Sequence, residues 1–269
     1  MTEILFLLPA LLACFILTGI HVYLGIHVIS RGVIFLDIAL AQVAALGLTI
    51  ALLFEFHPDT NVAYLFALSI TFIAAVFFSY IRSEKYPMEA IIGITFVVCS
   101  ALGILIADRM PHGVEHLKYI LSGNILWVSW GQIIKTAVIY SIIGLVLLRY
   151  HQKLMLTSIA YTESKRSGVN VRGWDLLFYI AFGFVITSSV QIAGILLVFS
   201  FLIIPAISSM IFYKSTKARL IMGWLFGLIT SLIGIGMSYL FDLPTGPAIV
   251  TVMGFFLILS FVVKRYVAR

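Results

Sequence analysis

Apolar residues along this chain come in long runs separated by short polar breaks. The runs fall at about 4–26, 33–54, 60–81, 88–107, 125–148, 174–193, 194–213, 218–240 and 245–263. Each approaches the roughly 20 residues a helix needs to cross the hydrocarbon core of a bilayer. The pattern predicts an all-α chain, a polytopic transmembrane helical bundle of eight or nine spans. The count turns on 174–213, which is too long for one span and has almost no polar break. Gly194 and Pro205 within it mark a turn, a kink or a re-entrant excursion.

Composition narrows the picture. The 269 residues are 62% apolar and 10% charged, against about 45–50% and about 25% in soluble domains. No stretch remains for a large soluble domain or a nucleic-acid-binding fold, so 1–269 reads as a single transmembrane domain. Met1-Thr2-Glu3 lacks the positive segment that opens a cleavable signal, and the first run is expected to be retained as a span. Cys14 and Cys99 both sit in apolar runs, where a thiol acts as a small hydrophobe.

The net charge of +6 is unevenly placed. With the N-terminus outside and nine alternating spans, the inner segments hold Arg31, Arg82, Lys85, Arg149, Lys153, Lys165, Arg166, Arg172, Lys214, Lys217, Arg219, Lys264, Arg265 and Arg269. Only Arg109 and Lys118 fall in outer segments, and Lys135 lies in a span. This is the inside-positive bias of multi-pass membrane proteins. The longest inner segment, 149–173, carries Leu154, Met155, Ile159 and Ala160 at the spacing of a short amphipathic helix, followed by a Gly-broken turn. Such a helix lies along the membrane or docks onto a partner.

Polar groups at membrane depth are the candidates for chemistry. Asp37, near the start of the second run, is costly against lipid and must face protein, water or a cation. An ion pair with Arg31, an interhelical hydrogen bond and a place on a substrate path remain open for it. Gln42 follows five residues later, about 140° around an ideal helix. Lys135 either snorkels to the outer interface or lines a path. His21 and His27 read as buried hydrogen-bonding groups. Outside, His112, Glu115 and His116 have i, i+3, i+4 spacing, which gathers potential metal ligands if the segment is helical; a solvated loop is the alternative. The Gly223-x-x-x-Gly227 spacing suits close helix packing, within the chain or between subunits. No GxxxxGK[ST], GxSxG or CxxC occurs, so the chain is not expected to hydrolyse ATP or to act as an enzyme.

Several segments together resemble a known family. These are Arg31…Asp37…Gly47, LKYILSGNIL (117–126), GILLVFSFLIIPAISSMIFY (194–213) and YLFDLPTGPAIV (239–250), the last with Asp242, Pro244, Thr245, Gly246 and Pro247. The chain is similar to the ABC-3 family, the permease subunits of ABC importers for zinc, manganese and related metals. The resemblance implies a type II-importer-like permease that binds no cofactor itself and moves a divalent metal ion. It implies a homodimer of permeases, a cytoplasmic ABC ATPase dimer that uses the ATP, and an extracellular or periplasmic solute-binding protein. It also implies a bacterial or archaeal cytoplasmic membrane. Segment 149–173 would be the coupling region, with Tyr161 and Gly168 as coupling candidates. Asp37 lies where the family carries a pathway carboxylate, often as D-x-x-x-H. Aligning back from Gly47 puts Gln42 on the histidine position and Asp37 one residue early, so Asp37 and Gln42 form the candidate transit site. Amide oxygen is a poorer zinc ligand than imidazole, which leaves a metal chelate as an alternative cargo. A self-sufficient secondary transporter is a further alternative.

Overall fold

The computed structural model describes residues 2–58, 60–82, 86–123, 125–159 and 170–267. Ten α-helices cover most of these: α1 Thr2–Arg31, α2 Leu36–Leu53, α3 Asn61–Ile81, α4 Met88–Ala107, α5 Gly113–Ser122, α6 Trp130–Arg149, α7 His151–Ile159, α8 Val171–Phe212, α9 Thr216–Phe241 and α10 Thr245–Val267. Eight of them, all but α5 and α7, are long and apolar enough to cross a membrane. The chain is thus the all-α polytopic bundle that its apolar runs predict.

The predicted runs 174–193 and 194–213 are the two halves of α8. At about 1.5 Å per residue its 42 residues would run roughly 63 Å if straight, about twice the hydrocarbon thickness. The helix is broken at Gly194, which takes φ 74° and ψ 164°. Pro205 lies in the same helix without a break of its own.

One sequence boundary needs correction. The fifth run was expected to be helical from 125, but Ile125–Trp127 is a single 3-10 turn and α6 starts at Trp130. A capping box sets the start. The Ser129 amide donates to Gln132 Oε1 at 2.9 Å, and the Gln132 amide donates to Ser129 Oγ at 3.3 Å. Two of the orphan amides of a helix N-terminus are satisfied this way. Thr60 and Ser215 cap α3 and α9 in the same spirit, accepting from the amides of Ala63 and Ala218.

The residues form two compact units, described in turn. The first comprises 1–26, 121–138 and 192–269. Its helices approach through glycine. A methyl group on Gly25 would lie 2.0 Å from the Leu202 carbonyl oxygen, and methyls on Gly223 and Gly227 would meet Val22 and Thr18 at 2.5 and 2.6 Å. The Gly223-x-x-x-Gly227 face is therefore spent on packing within the chain. Gly123 and Gly194, both at positive φ, stand backbone to backbone, and a Cβ on Gly194 would fall 2.2 Å from the Gly123 nitrogen. Only a residue without a side chain fits there.

The second unit comprises 27–120 and 139–191. Its centre is α2: 72% of that helix's apolar window is buried, against 17% for α4. Ala44, Leu48 and Ala51 of α2 pack on Ala63 and Ala67 of α3, with Phe66 against them. Without lipid-to-protein hydrophobic drive, small residues allow this close fit. A methyl on Gly47 would sit 2.5 Å from the Ala67 Cα, so α2 and α3 run nearly in backbone contact.

Candidate functional site

The turn between α1 and α2 positions the candidate carboxylate. Gly32, at φ 67°, ends α1 in a Schellman arrangement: its amide bonds the Ile29 carbonyl at 3.1 Å, and the Val33 amide bonds the Val28 carbonyl at 3.2 Å. Three residues on, α2 begins at Leu36, and Asp37 falls in its first turn. The positive end of the helix dipole lies there, which favours an anion.

Asp37 is fully buried, and neither carboxylate oxygen has a hydrogen-bond partner. Arg31 is not its counter-ion. The Arg31 guanidinium is 2.7 Å from Asp175 of α8 instead, so the ion-pair reading of Asp37 is removed.

Hydroxyl groups from three other helices gather in the same unit. Tyr140 of α6 lies within electrostatic reach of both Asp37 and Tyr64 of α3. Its hydroxyl pairs with Ser189 Oγ and reaches the Val185 carbonyl at 3.2 Å. The Tyr64 hydroxyl is 2.9 Å from Ser188 Oγ. Lower on the same pair of helices, Thr187 donates to Thr71 at 3.1 Å. All of these residues are buried, Ser188 and Ser189 at 4% and 0% exposed included. The arrangement is a band of hydroxyl groups linked to an unsatisfied carboxylate through the electrostatic reach of Tyr140. Such a place attracts a cation and offers it hard donors.

Sequence reasoning singled out Asp37 and missed this hydroxyl set. A signal was available in Thr187-Ser188-Ser189, three adjacent hydroxyl residues in the middle of run 174–193. Gln42 is half-buried on α2. Gln191 reaches the Pro58 carbonyl at 3.4 Å. Gln132 is occupied by the capping box, and Lys135 is exposed on α6. His21 bonds the Leu17 carbonyl at 2.7 Å and His27 contacts Ser158 Oγ at 3.2 Å, the hydrogen-bonding roles expected of them.

Outside the spans, Gly113–Ser122 is helical, so the i, i+3 relation of His112 and Glu115 is realised at its start. His112 Nδ1 is 4.0 Å from Glu115 Oε2, and both side chains are well exposed. His116 is half-buried, with Nε2 buried and lacking a partner, and burial lowers its pKa below the ordinary imidazole value. Among the described residues, no group of three His, Cys, Asp or Glu side chains is arranged to hold a metal ion. The expected short inner helix is α7, with Leu154 fully buried. Tyr161 and Gly168 lie outside the described residues.

Comparison with known proteins follows the same lines. The sequence profile of the ABC 3 transport family matches residues 3–264. The chain is 25% identical over 263 residues to the high-affinity zinc uptake system membrane protein ZnuB of Haemophilus influenzae, covering 97% of each. It is 25% identical over 275 residues to the manganese import system permease protein ScaB of Streptococcus gordonii, covering 98% of this chain and 94% of that one. Its fold matches a chain of PsaBC from Streptococcus pneumoniae, solved in complex with a Fab, with a TM-score of 0.80, 24% identity, and coverage of 95% and 91%.

Proposed function

This chain belongs to the ABC 3 transport family, as a membrane permease subunit of a metal-type ABC importer, and from that premise we propose that it carries a free divalent cation (zinc, manganese or iron) past Asp37. The whole chain, 1–269, acts as one permease domain. Two copies pair around the path, an extracellular or periplasmic binding protein delivers the ion, and a cytoplasmic ATPase dimer engages 149–173, including Tyr161 and Gly168.

The observation that carries this reading is the state of Asp37: a carboxylate wholly buried in a membrane-spanning unit, with both oxygens unpartnered. A stable fold gains nothing from that arrangement, since an unsatisfied buried charge is costly. A passing cation satisfies it. Tyr64, Tyr140, Ser188 and Ser189 supply neutral oxygens near the path, and Gln42 adds an amide oxygen further along α2. One carboxylate with weak neutral donors binds and releases, as passage requires. His112, Glu115 and His116 form a second, outward candidate, where an arriving ion meets exposed donors first.

The test is purification of the native complex under mild conditions, reconstitution into liposomes and measurement of ATP-dependent uptake of Zn²⁺, Mn²⁺ and Fe²⁺. Uptake of at least one ion by the wild-type complex, lost in Asp37→Asn with assembly intact, is the expected result. Normal uptake by that variant would remove Asp37 from the path. Uptake of a chelate without uptake of any free ion would overturn the cargo.

A further inference from the structure

The ends of three membrane helices and the short helix α7 meet at one carboxylate in the second unit. Arg31, the last residue of α1, places Nη1 2.7 Å from Asp175 Oδ1. Arg82, just past α3, places Nη1 2.6 Å from the same oxygen. Asp175 stands in α8 and is 1% exposed. The Arg31 guanidinium also lies over the Phe178 ring, 4.0 Å from its centroid, a cation–π contact that fixes its plane.

The fourth participant is α7. Arg31 Nε donates to Ser158 Oγ at 2.8 Å, and Nη2 approaches Thr157 Oγ1 at 3.4 Å. Arg82 Nη2 approaches the Thr157 carbonyl at 3.5 Å. His27 contacts the same Ser158 hydroxyl, and its ring meets His151 edge-on at 5.8 Å. Both arginines therefore bridge from Asp175 to the last turn of α7, the turn that leads into 160–169.

Buried ion pairs seldom hold helices together better than apolar side chains of the same size. Their geometry does fix one register and gives two helices a shared, discrete connection. Arg31 is also six residues from Asp37, across a turn closed by the Gly32, Val33 and Leu36 amides. A displacement of Arg31 has little slack to absorb it before α2. We propose that Asp175 is a positioning residue of the transport cycle: it fastens α7 to Arg31 and Arg82, so that movement of α7 is delivered to the turn carrying Asp37. This rests on the permease reading above, and it assigns the transmission to a four-residue set, Arg31, Arg82, Ser158 and Asp175, within that reading.

The experiment uses the permease assembled with the ATPase subunit that co-purifies with it, in liposomes, with ATP hydrolysis and uptake of the transported ion measured in the same vesicles. Asp175→Asn should lower ions moved per ATP hydrolysed by about tenfold and Ser158→Ala by about threefold, the size of effect that a coupling element carries. Basal hydrolysis should stay close to wild type, and Asp175→Glu should restore part of the ratio. Ser158→Ala keeps the ion pairs and guards against a simple folding defect. An unchanged ratio in both variants, or uptake and hydrolysis falling in proportion, would overturn the proposal. Amide hydrogen exchange across 151–159 in the same complexes gives a readout that needs no transported ion. Exchange faster in both variants supports the fastening, and unchanged exchange overturns it. A wild-type complex that moves no divalent ion would sink the cargo assignment while this second readout still judged Asp175.

Discussion

Asp37→Asn should make the protein more stable while it stops transport. The substitution keeps the side-chain shape and removes the charge. A buried ion costs several kcal/mol even after the protein relaxes around it, and the two Asp37 oxygens have no hydrogen bond to offset that cost. The helix N-terminus returns about 0.3–1 kcal/mol of it. An unpartnered amide in the same place costs about 1–3 kcal/mol. The difference leaves the variant more stable by about 1–3 kcal/mol. At roughly 2–4 °C per kcal/mol for chains of 150–250 residues, the unfolding midpoint should rise by roughly 2–12 °C. The assay is thermal unfolding of the purified complex in detergent, with chelator present so that no ion occupies the site. Adding the transported ion should then raise the wild-type midpoint and leave the variant's unmoved, because only a state that binds is stabilised by ligand. A midpoint that falls in Asp37→Asn would refute the reasoning, since it would mean that the carboxylate is satisfied in the folded protein. A gain in stability with transport intact would refute the functional half.

The remaining predictions concern other parts of the chain. Gly194→Ala should cost more than about 3 kcal/mol, through a positive φ and a collision with Gly123; the yield of folded protein and its thermal midpoint check this, and a wild-type midpoint would contradict the backbone contact. Gln132→Ala removes half of a capping box and should cost about 1 kcal/mol without altering uptake by the assembled complex. Tyr140→Phe removes a hydroxyl from the oxygen band and should weaken the apparent affinity for the transported ion more than it lowers the maximal rate; equal losses in both would argue for a packing role. His116 has its pKa lowered by burial, so the unfolded chain binds more protons in the window just below the ordinary histidine value of about 6.5. Its contribution is complete above that window and is lost as pH falls through it. Thermal midpoints measured across that range should lose part of their slope in His116→Gln.

The sequence makes some of this legible and hides the rest for physical reasons. Hydropathy alone marks the spans, because a helix in lipid must satisfy its backbone internally and present apolar side chains over a fixed length. Asp37 is conspicuous for the same reason, as a carboxylate in an apolar run. Gly194 is visible as a break within a run too long to cross once. The start of α6 is hidden, since Ile125–Trp127 is as apolar as a helix and only the Ser129–Gln132 reciprocity decides the boundary. The partner of Arg31 is hidden more deeply: Asp175 lies 144 positions away, and Asp37 is the nearer acid in the chain. The hydroxyl band joins residues 124 and 49 positions apart, a distance over which periodicity carries no information. Segment 149–173 is recognised as polar and inward-facing by its charges, and α7 within it by its spacing, but its connection to the ends of three membrane helices is a tertiary fact.

The near-contact of α2 and α3 along Ala44, Gly47 and Ala51 bears on how such permeases diverge. That edge of α2 has no volume to spare, so selection has few residues to try there without losing the helix pair. Asp37, seven residues before Ala44, continues that crowded stripe and is itself fully buried, whereas Gln42 stands about 140° around the helix from Asp37 and is half-buried. Homologues sorted by cargo should accordingly be nearly invariant in side-chain size along Ala44, Gly47 and Ala51 and differ at position 42. Cargo preference in this lineage is then a trait that drifts on the Gln42 face of a single helix, while the Ala44 face keeps the pedigree.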